Sequence, residues 1–214
     1  LFSLGFYTQD GIVGGNFDRS NYERLTLRSN TQYTLFDESK ERNWLNSLKV
    51  TSNLSYARIK STNFDDNSTW GTPLGSVLAL SPILNVYDET EEAIKAQFDK
   101  YGTTAEYTPV YDPRNGKLFS IPGEFGEMSN PIAKLSLPGD KHWSHKFVAN
   151  FSAELQLWDN LKFKTSYGAD LSFWGYDGYR PLYYLRSGES STQSSAYSRK
   201  EDGTVWQLEN VLMY

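Results

Sequence analysis

The sequence predicts an all-β chain, part of a transmembrane antiparallel up-and-down β-barrel with long extracellular loops. Three observations predict it. Apolar and polar residues alternate in matched phase across short turns. The alternating segments are longer than strands of water-soluble sheets, which run about five or six residues. Short and long joins follow one another in regular order.

The elements read as follows in chain order. Residues 1–9 place Phe2, Leu4 and Phe6 in phase. Residues 22–36 set Leu25, Leu27, Tyr33 and Leu35 against Arg24, Thr26, Arg28, Asn30 and Gln32. Residues 46–60 set Leu48, Val50, Leu54 and Tyr56 against Lys49, Thr51, Asn53 and Ser55. Residues 146–157 carry Phe147, Ala149, Phe151, Ala153, Leu155 and Leu157 on one face. Residues 161–175 carry Leu161, Phe163, Thr165, Tyr167, Ala169, Leu171 and Phe173, with Lys162, Lys164, Ser166 and Asp170 opposite. Residues 204–214 place Trp206, Leu208, Leu212 and Tyr214 opposite Gln207 and Glu209. Period two is the signature of a strand with two unlike faces.

The turn Trp158-Asp159-Asn160 predicts the pairs Leu157 with Leu161, Leu155 with Phe163 and Phe151 with Tyr167, so that apolar meets apolar. A strand crossing an outer membrane needs about 9–11 residues, and most of these segments reach that. The joins 37–45 and 158–160 are short, whereas 63–145 and 176–203 are long. Membrane barrels have short inner turns and longer outer loops, and parity assigns both long joins, with 10–21, to the outer side. Residues 1–214 therefore read as one partial barrel domain without a plug domain.

Within the long join, Thr72-Pro73 predicts a short helix to Leu80, closed by Ser81-Pro82. Residues 89–100 predict a second, with early glutamates, Lys100 late, and Ile94 one turn from Phe98. Asp112-Pro113-Arg114-Asn115-Gly116 predicts a turn. A calcium-loop reading of it fails, because its twelfth position is Gly123 where a Glu is required.

Composition narrows the function classes. The 214 residues carry a net charge of −5, and aromatics make up 15%. Disorder goes with few aromatics, so a folded chain is expected. No run approaches about 18 apolar residues, which excludes a helical span but not a membrane barrel. Cysteine is absent, so disulfides, thiolate metal sites and a catalytic thiol are ruled out. Without a Lys/Arg cluster no nucleic-acid partner is expected. The opening Leu1-Phe2-Ser3-Leu4 and the apolar close at Tyr214 suggest a piece of a longer chain.

Candidate chemistry is sparse. His142 and His145 flank Trp143 and read as solvated loop histidines, not a metal pair. There is no G-x-S-x-G elbow, so no enzyme, cofactor or catalytic residue is expected. The binding candidates are aromatics assigned to the long loops: Trp70, Tyr87, Tyr101, Tyr107, Tyr111, Trp143, Trp174, Tyr176 and Tyr179, with Tyr183 and Tyr184 beside them. Their rings suit sugar faces or peptide side chains, and equally suit loop packing or contact with a capping partner. Tyr56, Phe147, Phe173 and Trp206 fit an aromatic girdle at the outer rim, with Arg58 one step further out.

Several segments, taken in order, carry a family resemblance. Phe6-Tyr7-Thr8-Gln9-Asp10-Gly11-Ile12, then Tyr22-Glu23-Arg24-Leu25-Thr26-Leu27-Arg28, resembles an early barrel hairpin of the SusC/RagA-type TonB-dependent outer-membrane transporters. Leu48 to Tyr56 is similar to the next strand. Ser81-Pro82-Ile83-Leu84-Asn85-Val86-Tyr87-Asp88 resembles their "P-x-x-P-V-Y-D" segment, with Asn85 in place of the second Pro. Asn130-Pro131-Ile132-Ala133 resembles their "N-P-x-A" element, and Leu161 to Gly168 and Trp206 to Leu212 resemble later strands.

The resemblance implies a barrel-wall segment of a bacterial outer-membrane importer for glycan or oligopeptide substrates. It implies a SusD-like surface lipoprotein above the barrel, outer-membrane lipid around it, and energy from the TonB complex through an N-terminal region outside this sequence. The rival reading is a soluble all-β carbohydrate-binding module, since a sheet with one buried face alternates in the same way. A plug-free porin or autotransporter barrel fits the alternation but not the loop motifs.

Overall fold

The computed structural model describes every residue except 14–16, 37–43, 65–71, 89, 93–94, 97–98, 100–107, 123–127 and 187. The chain is all-β, with two short helices in its longest join, Pro73–Ala79 and Pro131–Ser136. Strands β1 (Phe2–Asp10), β2 (Asn21–Phe36), β3 (Ser47–Thr62), β4 (Lys141–Trp158), β5 (Leu161–Arg180) and β8 (Ser195–Met213) form one antiparallel sheet in that order. β6 (Tyr183–Arg186) and β7 (Glu189–Ser191) form a separate small hairpin between β5 and β8. The sheet is open: β1 and β8 are its two edges, and the described residues close no barrel.

The register extends the strands beyond the expected bounds. β4 begins at Lys141, β5 runs to Arg180 and β8 begins at Ser195. Above Phe173 both faces carry aromatic or charged residues, so hydrophobic alternation no longer marks the strand there. One pair also differs from expectation. Leu155 faces Phe163 and Phe151 faces Tyr167, but Leu161 faces Trp158, not Leu157, because of an irregularity between Gln156 and Trp158. That end is held by the buried Gln156 amide, which donates to the carbonyls of Trp158 (2.6 Å) and Asp159 (3.1 Å). The displaced Leu157 carbonyl accepts from Leu45 N at 2.9 Å.

The two faces are unlike. One register row runs Phe36, Leu48, Leu155, Phe163 and Leu212, and a higher one runs Leu27, Tyr56, Phe147 and Leu171. This apolar face ends where Leu25, Arg58, His145, Phe173 and Asp202 align. Nothing among the described residues covers it: Leu4, Phe6, Trp206, Leu208 and Leu212 each remain more than half exposed.

The buried apolar core lies elsewhere. The joins β1–β2, β3–β4 and β5–β8 all leave from the same end of the sheet and pack into a cap. Phe119, Ala133 and Leu185 form one cluster, bordered by Phe17, Tyr87, Val110 and Leu137. Leu118, Ile121 and Tyr184 form another. Helix α1 (Pro73–Ala79) starts where Thr72 Oγ1 accepts from Gly75 N at 3.2 Å. Helix α2 (Pro131–Ser136) starts on the Asn130 side chain, which accepts from Ile132 N and Ala133 N. Asn130-Pro131 was a visible cap-and-start signal that the sequence reading gave no helix. In 89–100, Glu91, Glu92, Lys95, Ala96 and Asp99 are helical, while Ile94 and Phe98 lie outside the described residues.

Candidate functional site

The other face of the sheet is polar, and its charge is one-sided. The register puts Arg24, Arg28, Lys49 and Lys146 on it from β2, β3 and β4. β5 and β8 add Lys162, Lys164, Arg180 and Arg199. The carboxylates on the same face are Glu154, Asp170, Glu201 and Glu209. Cations thus exceed anions there by four, in a chain whose net charge is −5. Glu154, Lys162, Lys164 and Asp170 are all solvent-accessible. Lys146 pairs with Asp170 at 2.9 Å, and Arg199 pairs with Glu201.

Near the cap this face becomes aromatic. His142 and Tyr176 sit directly opposite each other, with ring centroids 5.5 Å apart, and Tyr176 meets Tyr197 edge-on at 6.2 Å. Trp174 donates its indole N–H to Glu201 at 2.6 Å, which fixes the ring beside the row. Tyr7 and Tyr22 form a similar edge-on pair at 6.0 Å on β1 and β2.

Two hollows open along this face. A cleft of about 410 Å³ lies where the cap meets the sheet, with His142, Tyr179, Arg180 and Tyr197 on one side and Arg19, Lys134 and Asp140 on the other. A groove of about 660 Å³ follows the free edge between Tyr7, Tyr22, Arg24 and Arg28. In the cleft, Arg19 Nη1 donates to the Leu137 carbonyl, while its buried Nε has no hydrogen-bond partner among the described residues. Burial pulls the Arg19 guanidinium below its ordinary value, and the charge of Asp140 opposes that. Tyr197 Oη donates to Asp140 at 2.6 Å, and Lys134 pairs with Glu189 at 2.5 Å. Arg180 is exposed and has no carboxylate partner among the described residues.

No family model matches the chain, and no curated protein is recognisably similar to it.

The sequence-derived candidates separate into four groups. Trp70, Tyr101 and Tyr107 lie outside the described residues. Tyr87, Tyr183 and Tyr184 are bound into the cap: Tyr87 stacks on Phe119 at 5.3 Å, and Tyr184 is buried with its N–H on the Thr108 carbonyl. Tyr111 stays half exposed on the cap, bridged to Leu118. Trp143, Trp174, Tyr176 and Tyr179 are strand residues, not loop residues. Of these, Trp174 and Tyr176 stand on the polar face and Tyr179 lines the cleft. Trp143 stands on the opposite face beside His145, with ring centroids 5.8 Å apart.

The histidines are likewise strand residues, and three positions apart in a strand puts them on opposite faces. His145 Nδ1 meets Tyr56 Oη at 2.8 Å on one side, while His142 joins the aromatic row on the other. They are not placed to share a metal. Among the described residues no group of three His, Asp or Glu side chains could hold an ion.

Sequence reasoning missed Arg19, Arg180, His142, Tyr22 and Tyr197 as site residues. Tyr197 lay in a serine-rich stretch and Arg19 in a short join, so only the three-dimensional register brings them together.

Proposed function

We propose that this chain is wall from an outer-membrane β-barrel importer of the TonB-dependent, SusC/RagA-like kind, taking up glycan or oligopeptide fragments. The observation that carries the reading is the uncovered apolar face. From Phe163 to Phe173 it runs about 33 Å along the strand. Tilted as barrel strands are, that is about 25 Å of height, matching the apolar band of membrane barrels. Across the sheet the whole face, with small polar residues such as Ser52, Thr165 and Asn210 interspersed, spans on the order of 800 Å² at about 4.8 Å per strand. Apolar patches on soluble monomers are about 300–600 Å². Lipid is a solvent in which such a face costs nothing.

The remaining features support the same reading. Tyr56, Phe147 and Phe173 lie toward the end of the band where Arg58 stands exposed, as girdle residues and a phosphate-seeking cation would, whereas Trp206, paired with Ala169, lies near mid-depth and not at the rim. The polar face lines the lumen, and the cap is the outer loop assembly on which a SusD-like lipoprotein sits. Open sheet edges do not persist in lipid, so β1 and β8 pair with further strands of the parent barrel. Transport is gated and driven through TonB, without covalent chemistry. A soluble carbohydrate-binding sandwich would need a second sheet over the apolar face, and β6–β7 belongs to the cap instead.

The test is the denatured mass of the native polypeptide in the membrane fraction of its source. An outer-membrane protein several times heavier than 24.5 kDa is expected. A soluble native product near 24.5 kDa would overturn the proposal.

A further inference from the structure

We propose that the polar face beneath the cap selects an acidic oligosaccharide, binding its carboxylates on arginines and its sugar rings on the row His142–Tyr176–Tyr197. This rests on the import reading and names the substrate class within it.

The first observation is charge segregation. A chain of net charge −5 carries an excess of four cations on this one face, so the remainder of the molecule is strongly acidic. The excess is available to a ligand. Among the described residues Arg24 donates to the Thr26 hydroxyl, at 3.2 Å, and Arg24, Arg28 and Arg180 have no carboxylate partner. A face with a net excess of one sign concentrates ligands of the other.

The second observation is where those cations stand. Arg180 and Arg19 face the same cleft as Tyr197 and His142, and Arg24 and Arg28 stand on the same polar face as Tyr7 and Tyr22. The cleft therefore pairs guanidinium groups with rings. A guanidinium matches a carboxylate through two parallel hydrogen bonds. An aromatic face takes the C–H face of a sugar, while hydroxyl and imidazole edges reach its hydroxyls. Peptide side chains would ask for separate apolar pockets, and the apolar groups buried nearby are sealed in the cap clusters.

The experiment titrates the native polypeptide, extracted in detergent, with an oligogalacturonide and with its methyl ester, by calorimetry. The two probes share ring and length and differ in charge. The acid is expected to bind about tenfold tighter, as one charge-assisted pair implies, with the gap narrowing as salt is raised. Arg180→Gln should weaken the acid several-fold and leave the ester unchanged, while Arg58→Gln, on the opposite face, should change neither. Equal affinity for acid and ester, or no binding of either, overturns the inference. An oligoglutamate that binds as tightly as the oligogalacturonide overturns the sugar assignment. Membrane location and native mass are read separately. An outer-membrane protein indifferent to charge would lose this inference and keep the import reading. A small soluble protein that preferred the acid would do the reverse.

Discussion

Tyr87 and Asp112, 25 residues apart in sequence, meet inside the cap, where the tyrosine hydroxyl donates to the carboxylate at 2.7 Å. Asp112 is fully buried, and Arg114 holds it from its backbone N–H (2.9 Å), Nε (2.9 Å) and Nη2 (2.7 Å). The Arg114 guanidinium in turn lies 3.8 Å from the centre of the Phe17 ring. One carboxylate thus ties the β3–β4 join to the β1–β2 join.

Removing that charge should loosen the cap and spare the sheet. Asp112→Asn is expected to cost roughly 3 kcal/mol, because one carboxylate oxygen becomes an amide donor facing the donors of Tyr87 and Arg114 and the charge that pairs with Arg114 is lost. Tyr87→Phe should cost about 1 kcal/mol, one hydrogen bond. Hydrogen exchange reads the difference. The amides of Phe119 and Ser120, bonded to Val110 and Val86, should exchange faster while strand amides keep their protection. Equal loss in cap and sheet would mean that the cap is not a separate unit.

The same carboxylate sets an acid limit. Its hydrogen bonds to Arg114 hold Asp112 well below the ordinary aspartate value of 3.8, with Tyr87 adding to the effect and burial opposing it. A depressed acid stabilises the folded form fully above its unfolded value and loses that contribution as pH falls through the folded value. Cap protection from this group should therefore be flat above about pH 5 and decline below 3.8. In Asp112→Asn that acid-dependent part should vanish, as exchange measured along a pH series would register.

The rim of the sheet turns on a glycine. Gly175 on β5 lies between Trp143 and Lys200, and a Cβ there would run into the Arg199 carbonyl and lie 2.9 Å from the Trp143 ring. Gly175→Ala should cost roughly 1–3 kcal/mol, since backbone and a bulky ring must both give way. Gly5→Ala, whose nearest neighbour would be Thr26 Cβ at 4.0 Å, should be nearly neutral. Denaturant midpoints of the two variants in detergent make the comparison, and a neutral Gly175→Ala would show that the rim adjusts.

How far the sequence carries depends on the contrast between faces. Leu155 opposite Phe163 and Phe151 opposite Tyr167 were legible because apolar and polar residues alternate cleanly there. Lys141 to His145 and Tyr176 to Arg180 were not, because both faces are wet or aromatic above the band and period two has nothing to contrast. The bulge before Trp158 was hidden too, since Leu157 and Trp158 are both apolar and either could face Leu161. The cap core escaped for a different reason. Tyr184 and Leu185 pack against Phe119, Ala133 and Ile121 across long sequence separations, and no local pattern encodes such contacts. The site lay between these cases: Trp174 and Tyr176 were named, but as loop residues, and their arginine partners came only from the register.

Two adjacent residues on β8 put the solvent of each face to the test. Leu208 stands on the apolar face opposite Tyr167, and Gln207 stands on the polar face opposite Gly168. Both are exposed, so in water an arginine at either place would be nearly neutral. In a bilayer they part company. Leu208→Arg should cost about 2–4 kcal/mol near the mid-depth of the band, whereas Gln207→Arg should cost little. Unfolding by urea from lipid vesicles, compared for the two variants of the native polypeptide, reads that gap. A difference below about 1 kcal/mol would mean that lipid does not cover the apolar face, and the wall of a membrane barrel would lose its main support.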